Sequence, residues 1–251
     1  MRLVRFKYKG KESWGIARDE LIKFLKNSPF TKFELTGQVI PFHKVKLLPP
    51  AAPTKIILVG LNYRDHAKEL KMSLPREPII FLKPPSSLIA HGEKIIYPRM
   101  VKRLDYEAEL ALVISKKARD ISAAESSKYI LGYTCLNDIT ARDLQKKDGQ
   151  WSRAKSFDTF CPVGPWVETE INPDNLRVSC RLNGGLKQDS CTSNFIFSVD
   201  YLVAFISRIM TLYPGDIIST GTPKGVGRMR PGDKVEVLIE GIGGLKNQVV
   251  S

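Results

Sequence analysis

The chain has no run of about 18 apolar residues, which is the length that a membrane-spanning helix requires. The residues that follow Met1 also lack the apolar stretch and the small-residue cleavage site of a secretory signal peptide. We therefore expect a cytoplasmic protein that stays where it is made and has no membrane partner.

Cysteine and histidine are scarce. The four cysteines (Cys135, Cys161, Cys180 and Cys191) show no C-x-x-C spacing, and only three histidines could complete a zinc site. A thiol nucleophile would need a nearby base, which the sequence does not provide. Each cysteine is therefore predicted to be a small core residue in a reducing compartment.

Charge is abundant and of mainly one sign, with a formal net charge of +13. Residues 1–50 contain eleven basic and four acidic residues, a net charge of +7. These charges alternate with apolar residues, which is typical of the solvated face of a strand. Without a recognisable reading helix or base-stacking module, we expect no nucleic-acid partner; a positive field also attracts small anionic substrates.

The first 50 residues predict a small N-terminal α+β domain. Two strands flank a turn at Lys9–Lys11, a helix is expected near Asp19–Lys26, and irregular chain follows. The proline-rich segment Pro49–Pro53 can continue neither a helix nor a central strand, so it is predicted to be a stiff connector. We place the domain boundary there, with a larger domain at residues 54–251.

The larger domain predicts a strand-rich, mixed α+β fold. Its clearest helices are Ser122–Ile130, which opens on a capping-box pattern, and Val199–Leu212. Hairpins are expected at Asn183–Gly185 and at Gly241–Gly244. Because strands and helices do not alternate regularly, a doubly wound sheet is not expected.

Three acids alternate along one predicted strand. Asp105, Glu107 and Glu109 would share a face, and the following run Leu110–Ile114 is typical of a strand buried on both faces. Carboxylates entering such a strand need a cation, and hard divalent ions prefer oxygen ligands. The residues alone leave two interpretations open: a metal site, or the exposed acidic end of a strand.

A second group of polar residues lies further along the chain. In a helix, Asp138, Arg142 and Gln145 would fall on one face. Arg142 could hold a substrate carboxylate bidentately, or it could form a local salt bridge to Asp138 or Asp143.

His66 and Glu69 are three residues apart on a predicted helical turn, where a carboxylate that orients an imidazole raises its basicity. Such a pair could act as a general base for water, or it could be a surface pair. The polar stretch that follows, from Lys68 to Pro78, could form a mobile lid. The glycine-rich segment Ser219–Gly227 could present N–H groups and the Thr222 hydroxyl to an anion.

Taken together, six blocks in this order resemble the fumarylacetoacetate hydrolase family over residues 54–250. They are Gly60-Leu61-Asn62-Tyr63-x-x-His66, residues 81–87, Asp105-Tyr106-Glu107-x-Glu109, residues 138–145, Lys155-Ser156-Phe157-Asp158-Thr159, and Pro214-Gly215-Asp216 through Gly221-Thr222-Pro223. The resemblance implies a mixed β-sandwich or roll with a small N-terminal domain, generally assembled as a homodimer.

The resemblance also implies roles for individual residues. The expected ligands of Mg²⁺ or Mn²⁺ are Glu107, Glu109 and Asp138. His66 and Glu69 match the water-activating pair, and Lys155 matches a lysine that stabilises enolate charge. Arg142, Gln145 and Thr222 match substrate contacts.

The implied substrate is a small 2-oxo acid, and three reactions stay open. Hydrolysis of an acylpyruvate is one; isomerisation of a 2-hydroxyhepta-2,4-diene-1,7-dioate and decarboxylation of oxaloacetate use the same enolate chemistry. A non-catalytic protein that binds dicarboxylates or nucleic acid is the alternative from a different class.

Overall fold

The computed structural model describes all 251 residues. Most of the regular structure is strand, and the strands are β1 (Arg2–Tyr8), β2 (Lys11–Arg18), β3 (Leu21–Leu25), β4 (Leu35–Pro41), β5 (Lys46–Leu47), β6 (Ile56–Val59), β7 (Ile80–Lys83), β8 (Leu88–Ile89), β9 (Lys94–Ile96), β10 (Leu104–Tyr106), β11 (Ala108–Ile114), β12 (Ile130–Asn137), β13 (Thr140–Ala141), β14 (Cys161–Glu168), β15 (Arg177–Leu182), β16 (Gly185–Cys191), β17 (Ile217–Ser219), β18 (Gly227–Met229), β19 (Lys234–Ile239) and β20 (Gly243–Val250). The α-helices are α1 (Arg64–Leu70), α2 (Arg142–Asp148), α3 (Ser152–Lys155) and α4 (Val199–Ile209). Five short 3₁₀ segments lie at Phe42–Lys44, Pro85–Ser87, Ala123–Tyr129, Pro173–Asn175 and Thr192–Asn194.

The strands form three sheets, as the strand-rich mixed α+β prediction requires. The large sheet has the order β4-β3-β2-β1-β14-β12-β11-β17-β6-β7, with β5 paired to β1 and β8 paired to β14. A five-stranded sheet has the order β16-β15-β19-β20-β9, and a small one has the order β13-β10-β18. No helix in the structure is both long enough and apolar enough to cross a membrane.

Strand β11 lies at the centre of the large sheet and is buried on both faces, as its uninterrupted apolar run predicts. Leu110 and Leu112 point into the main core, which they share with α4 and the five-stranded sheet. Ala111 and Val113 point into a second core on the opposite face. Strand β11, which follows Glu107 and contains Glu109, is therefore packed on both faces.

The predicted helix near Asp19–Lys26 is wrong, because this segment contains strand β3. Asp19 and Glu20 both have positive φ, at 49° and 62°, and form a two-residue turn that pairs β2 with β3. This backbone matches the twist of a hairpin. Ile22 and Phe24 alternate into a small apolar cluster, and the chain expected to be irregular contains β4.

Residues 1–50 continue the large sheet, because β1 pairs antiparallel with β14 through Arg2↔Glu168 and Leu3↔Val167. Leu3 is fully buried in the second core. A separate domain at residues 1–50 stays a prediction; in the structure the strands of this segment and of the body share one sheet.

Both predicted hairpins are present, as the pairs β15–β16 and β19–β20. The predicted helix Val199–Leu212 corresponds to α4, whose first turn is capped by Ser198, which accepts a hydrogen bond from the Tyr201 N–H. The segment Ser122–Ile130 forms only 3₁₀ turns. Its serine hydroxyl bonds to the Glu125 side chain instead of a backbone N–H, so the capping box does not form.

Candidate active site and metal centre

The three alternating acids do not lie on one continuous strand, which corrects the sequence prediction. Strand β10 ends at Tyr106 and β11 begins at Ala108, so Glu107 lies at a break between two sheets. The N–H of Glu107 donates to the Asn137 side-chain oxygen at 3.0 Å. Asp105 instead lies in the small sheet.

Glu107, Glu109 and Asp138 converge at this break. One carboxylate oxygen from each lies within 4.8 Å of the others, and all three residues are buried. Asp138 follows the end of β12, and its N–H donates to the Glu107 carbonyl at 2.9 Å. Asp138 is thus on a turn between β12 and β13 and not on the helix predicted to carry it, which begins at Arg142.

Glu109 is the one carboxylate of the three without a cationic partner. It accepts hydrogen bonds from the Ser219 hydroxyl and from the Gly221 N–H, the latter at 3.0 Å. Burial, together with the nearby charges of Asp138 and Glu107, raises the pKa of Glu109 well above its ordinary value. A nearby cation would remove this penalty.

Asp138 also has unsatisfied bonding capacity. Its Oδ1 atom is buried without a hydrogen bond of regular geometry, and its charged neighbour is Lys83, whose Nζ lies 2.8 Å away. Three converging buried carboxylates, of which Glu109 has no cationic partner, are the oxygen donor set that a hard divalent cation prefers. The residues therefore fit a divalent metal ion.

Lys155 lies beside this acidic centre, at the end of α3. Its ammonium contacts Glu107 Oε2 at 3.0 Å, Thr140 Oγ1 at 2.6 Å and the Asp138 carboxylate, which uses all three of its donors. Burial alone would lower the pKa of Lys155, but the carboxylates of Asp138 and Glu107 outweigh burial and raise it.

Lys83 is a buried cation that the sequence analysis assigned no role. It ends strand β7 and is fully buried, where it donates to the carbonyls of Ile139 at 2.9 Å and Phe160 at 2.7 Å. These carbonyls flank the acidic turn at Asp138. A lysine that ends an apolar strand and precedes a proline was the available signal.

Arg142 opens α2 and links three groups. Its Nε donates to Asp105 at 2.9 Å, Nη1 donates to Gln145 at 2.6 Å, and Nη2 donates to Glu107. The local partner is thus Asp105 rather than the predicted Asp138 or Asp143. Burial alone would raise the pKa of Glu107, but Lys155 and Arg142 hold it below its ordinary value. Two of the five guanidinium N–H donors remain for a ligand.

His66 and Glu69 lie on α1 as predicted, with Nδ1 of the imidazole 2.9 Å from Glu69 Oε2. A carboxylate accepts at this position, so Nδ1 carries the proton and Nε2 is left as a proton acceptor. Glu69 also accepts from the Gly225 N–H at 3.1 Å. Gly225 has φ +91°, and an added Cβ would lie 2.3 Å from the Lys187 carbonyl, so only glycine fits.

Thr222 faces the cavity, but its hydroxyl proton is already used. The hydroxyl donates to the Ala108 carbonyl at 3.0 Å and accepts from Gln188 Nε2 at 2.9 Å. Gln188 is fully buried and also accepts from the Ala108 N–H at 2.9 Å, so it joins this loop to β11. The predicted donation of the Thr222 hydroxyl to an anion would require this bond to break; nothing in the local sequence indicated Gln188.

One cavity of about 340 Å³ collects most of the predicted site residues. Those that line it are His66, Glu107, Arg142, Gln145, Lys155 and Thr222. Glu69 does not line the cavity but accepts a hydrogen bond from His66, and Glu109 and Asp138 lie buried beside Glu107. The individual roles of these residues stay predictions, but the structure brings all nine together.

The strand-rich fold and the buried acidic centre beneath the cavity are those expected of the fumarylacetoacetate hydrolase family. Residues 55–250 match the fumarylacetoacetate (FAA) hydrolase C-terminal model, and residues 1–50 match the Rv2993c-like, N-terminal model. The chain belongs to the fumarylacetoacetate hydrolase family.

Relatives with named activities extend over nearly the whole chain. Oxaloacetate tautomerase Fahd2a, mitochondrial, from Rattus norvegicus is 40% identical over 260 residues, which cover 99% of this chain and 79% of that one. The structure of 5-carboxymethyl-2-hydroxymuconate delta-isomerase from Mycobacterium smegmatis superposes with a TM-score of 0.94 at 40% identity, covering 100% and 99% of the two chains. Maleylpyruvate hydrolase from Sphingobium gives a TM-score of 0.83 at 29% identity, with the same coverage.

Proposed function

We propose that the protein is a Mg²⁺- or Mn²⁺-dependent enzyme that hydrolyses a C–C bond in an acylpyruvate-type 2-oxo acid. The observation that carries the proposal is that an oriented imidazole, His66, lines the same cavity as the acidic centre. Membership of a family with named hydrolases, isomerases and tautomerases supports the coarser assignment to enzymes of small oxo acids.

Glu107, Glu109 and Asp138 would hold the metal, since their oxygens converge within 4.8 Å. When bound, such an ion supplies Lewis acidity that polarises the carbonyl of a 2-oxo acid. Oxygen-only ligands favour Mg²⁺ or Mn²⁺ over softer metals.

The basic residues would bind and orient the substrate. Arg142 keeps two N–H donors beyond its protein contacts, which is the number a carboxylate accepts bidentately. In the metal-bound enzyme, Glu107 and Asp138 would also bind the metal ion. Lys155 could then release one of these carboxylates and reach a substrate oxygen. Its ammonium would then stabilise negative charge that develops on that oxygen.

His66 would move the proton. Nε2 takes a proton from water, the hydroxide oxygen adds to the distal acyl carbon, and the bond from that carbon to the neighbouring methylene breaks. The products are a carboxylic acid and pyruvate, whose methyl group receives the transferred proton. Glu69 stabilises the imidazolium that exists between the two proton transfers.

A continuous absorbance assay tests this reaction. With Mg²⁺ or Mn²⁺ present, acylpyruvates should lose their diketo band, and NMR should identify pyruvate and the released acid. The double variant Glu107→Ala, Glu109→Ala should be inactive; full activity of this variant would contradict the proposal.

A second candidate is proton relocation without C–C cleavage, as in the tautomerase and isomerase named among the relatives. The same His66 base would remove a proton from carbon and return it to another atom. Loss of the oxaloacetate enol band, or a spectral shift of a hydroxymuconate-type dienoate without carbon loss, would favour this reaction. Decarboxylation of oxaloacetate would instead release CO₂.

A non-catalytic binding protein would behave differently in two measurements. Thermal stabilisation by oxalate that depends on Mg²⁺ is expected of the enzyme. Salt-sensitive binding to random DNA without any metal response is expected of a nucleic-acid-binding protein.

The proposal also includes a cytoplasmic location and a homodimeric assembly. All four cysteines are free thiols, and three of them are buried, which supports a reducing compartment. Sedimentation equilibrium of the purified protein tests the dimer.

A further inference from the structure

The cavity above the acidic centre is lined by two chemically different groups of side chains. One group consists of the charged and polar residues described above. The lining also contains five large apolar side chains, here called the apolar wall: Leu70, Met72, Ile79, Phe81 and Trp151. Phe81 joins the two groups, because Lys155 Nζ lies 5.0 Å from the centroid of its ring. The proposed reaction uses the charged and polar group only.

Three members of this apolar wall are large side chains that the protein itself leaves half exposed. Leu70 is 49% exposed, Met72 is 53% exposed and Ile79 is 47% exposed, although all three line the cavity. Single exposed apolar side chains are common, but several in the lining of one cavity indicate a ligand that covers them.

The inner part of the apolar wall is preformed. The rings of Phe81 and Trp151 pack edge to face with centroids 5.1 Å apart. Trp151 also lies so close to Gly60 that an added Cβ there would be 3.3 Å from its ring. A ligand would therefore not have to order these two side chains.

Most of the positive charge in the cavity lining belongs to the network of the acidic centre. Arg142 and Lys155 lie in the acidic centre's network, and Lys146 is the one other side chain of the lining with a permanent positive charge. A single exposed lysine binds a carboxylate weakly in water. The apolar wall therefore favours an uncharged group over a second carboxylate.

We propose that the apolar wall binds an uncharged alkyl or aryl tail of the 2-oxo acid, so that the substrate is a monocarboxylate with a hydrophobic tail. The inference rests on the proposed function for the position of the 2-oxo acid end. A cavity of about 340 Å³ has the volume for such a tail and lies within the range of pockets for larger organic ligands, about 300–1,000 Å³.

Calorimetric titration with simple 2-oxo acids in the presence of Mg²⁺ tests the inference without turnover. The probes are 2-oxobutanoate, 2-oxohexanoate, 2-oxooctanoate and the dicarboxylate 2-oxoadipate. Affinity should rise about fourfold for each methylene that the wall buries, the value expected for transfer out of water. 2-Oxoadipate should bind more weakly than 2-oxohexanoate.

A double variant locates the effect. Met72→Ser with Ile79→Ser should reduce the gain per methylene to less than twofold and leave 2-oxobutanoate binding unchanged. The matched control is Leu82→Ser, because Leu82 is 48% exposed on the same strand as Phe81 but does not line the cavity. The control should keep the full gain.

Different results overturn different claims. Equal affinity along the series, or tighter binding of 2-oxoadipate, overturns the tail-binding inference even if acylpyruvates are cleaved. If affinity rises with chain length but the protein cleaves no acylpyruvate, the proposed hydrolysis is contradicted and the tail-binding inference stands. If no probe binds, the inference is overturned, and the proposed hydrolysis is decided by the acylpyruvate assay.

Discussion

At the scale of single residues, Glu109 combines burial, like-charged neighbours and no cationic partner. Its pKa in the folded protein is raised, so folding favours the protonated form. The stability that goes with this form is present at low pH and is lost as the pH rises through the raised value. The metal-free protein should therefore lose stability toward neutral and alkaline pH.

Glu109→Gln removes this titration. In EDTA, the variant should melt at a higher temperature than the unmodified protein at pH 8 and should show a flatter dependence on pH. With Mg²⁺ at about 100 times its Kd, the unmodified protein should gain about 2.7 kcal/mol, and the variant should gain much less. Thermal melts from pH 5 to 8 measure both; an equal Mg²⁺ response in the two proteins would argue against Glu109 as a ligand.

His91 provides a second titration, remote from the acidic centre. Its Nδ1 accepts a hydrogen bond from the Lys246 N–H at 3.2 Å, so this nitrogen carries no proton. Burial is the main cause that lowers the pKa of His91, with the Lys246 charge adding to it. The stability that comes from neutral His91 is thus present above the ordinary histidine pKa. It is lost as the pH falls through the lowered pKa of His91 in the folded protein.

His91→Gln keeps an acceptor without the titration. The melting temperature of the unmodified protein should fall more steeply than that of the variant as the pH decreases from 7.5 to 5. Parallel melting curves over this range would contradict the prediction, and His43→Gln is a control at another histidine.

The family resemblance predicted the acidic centre better than residue types did. Residue types alone left the acids near β11 open between a metal site and an exposed strand end, whereas the resemblance selected Glu107, Glu109 and Asp138, which the structure brings together. Lys83 and Gln188 were missed because their importance comes from partners distant in sequence, 56 residues away for Lys83 and Ile139 and 80 for Gln188 and Ala108. A pattern within one segment carries no signal of that kind.

At the scale of elements, helix α1 is held in place at two points. Asp65 accepts from the Ser190 hydroxyl at 2.6 Å, and Glu69 accepts from the Gly225 N–H. These contacts place His66 at the cavity before any ligand arrives. Preorganisation of this kind is what a general base requires.

His66→Ala should lower kcat by about 10²- to 10⁴-fold, because it removes the proposed proton acceptor. Binding of Mg²⁺, measured by thermal shift, should be unchanged. Glu69→Gln should have a smaller effect on kcat, since the imidazole remains. Unchanged turnover in His66→Ala would exclude this residue as the base.

Turn chemistry explains why some elements could be predicted and others could not. The hairpin at Asn183-Gly184 was found because these residues adopt positive φ easily. The hairpin at Asp19-Glu20 uses the same backbone, but Glu20 occupies the position where glycine is usual, so local preference suggested a helix instead. Burial of β3 against its neighbours outweighed that preference.

At the scale of the whole molecule, the segment of residues 1–50 is joined to the body by both a sheet and a core. Leu3 is fully buried together with Val163 and Val167 of β14. Leu3→Ala should lower the free energy of unfolding by about 2–5 kcal/mol. Leu21→Ala, at an exposed position of the same segment, should change it by no more than about 0.5 kcal/mol.

Urea denaturation of both variants measures the two values. A loss for Leu3→Ala as small as the loss for Leu21→Ala would contradict the prediction that the Leu3 side chain stabilises the fold. The sequence predicted the position of the proline connector, but it could not predict this contact, because the pairing of β1 with a strand about 165 residues away has no local pattern.

The pairing of β1 with β14 also limits how such chains can be recombined during evolution. An N-terminal segment borrowed from another protein would have to supply a strand in the same antiparallel register and an apolar side chain at the position of Leu3. A segment without these features would leave the edge of β14 at Val167 and Glu168 unpaired and exposed to other chains. Exchange of this segment is thus restricted to donors that already complete the same sheet.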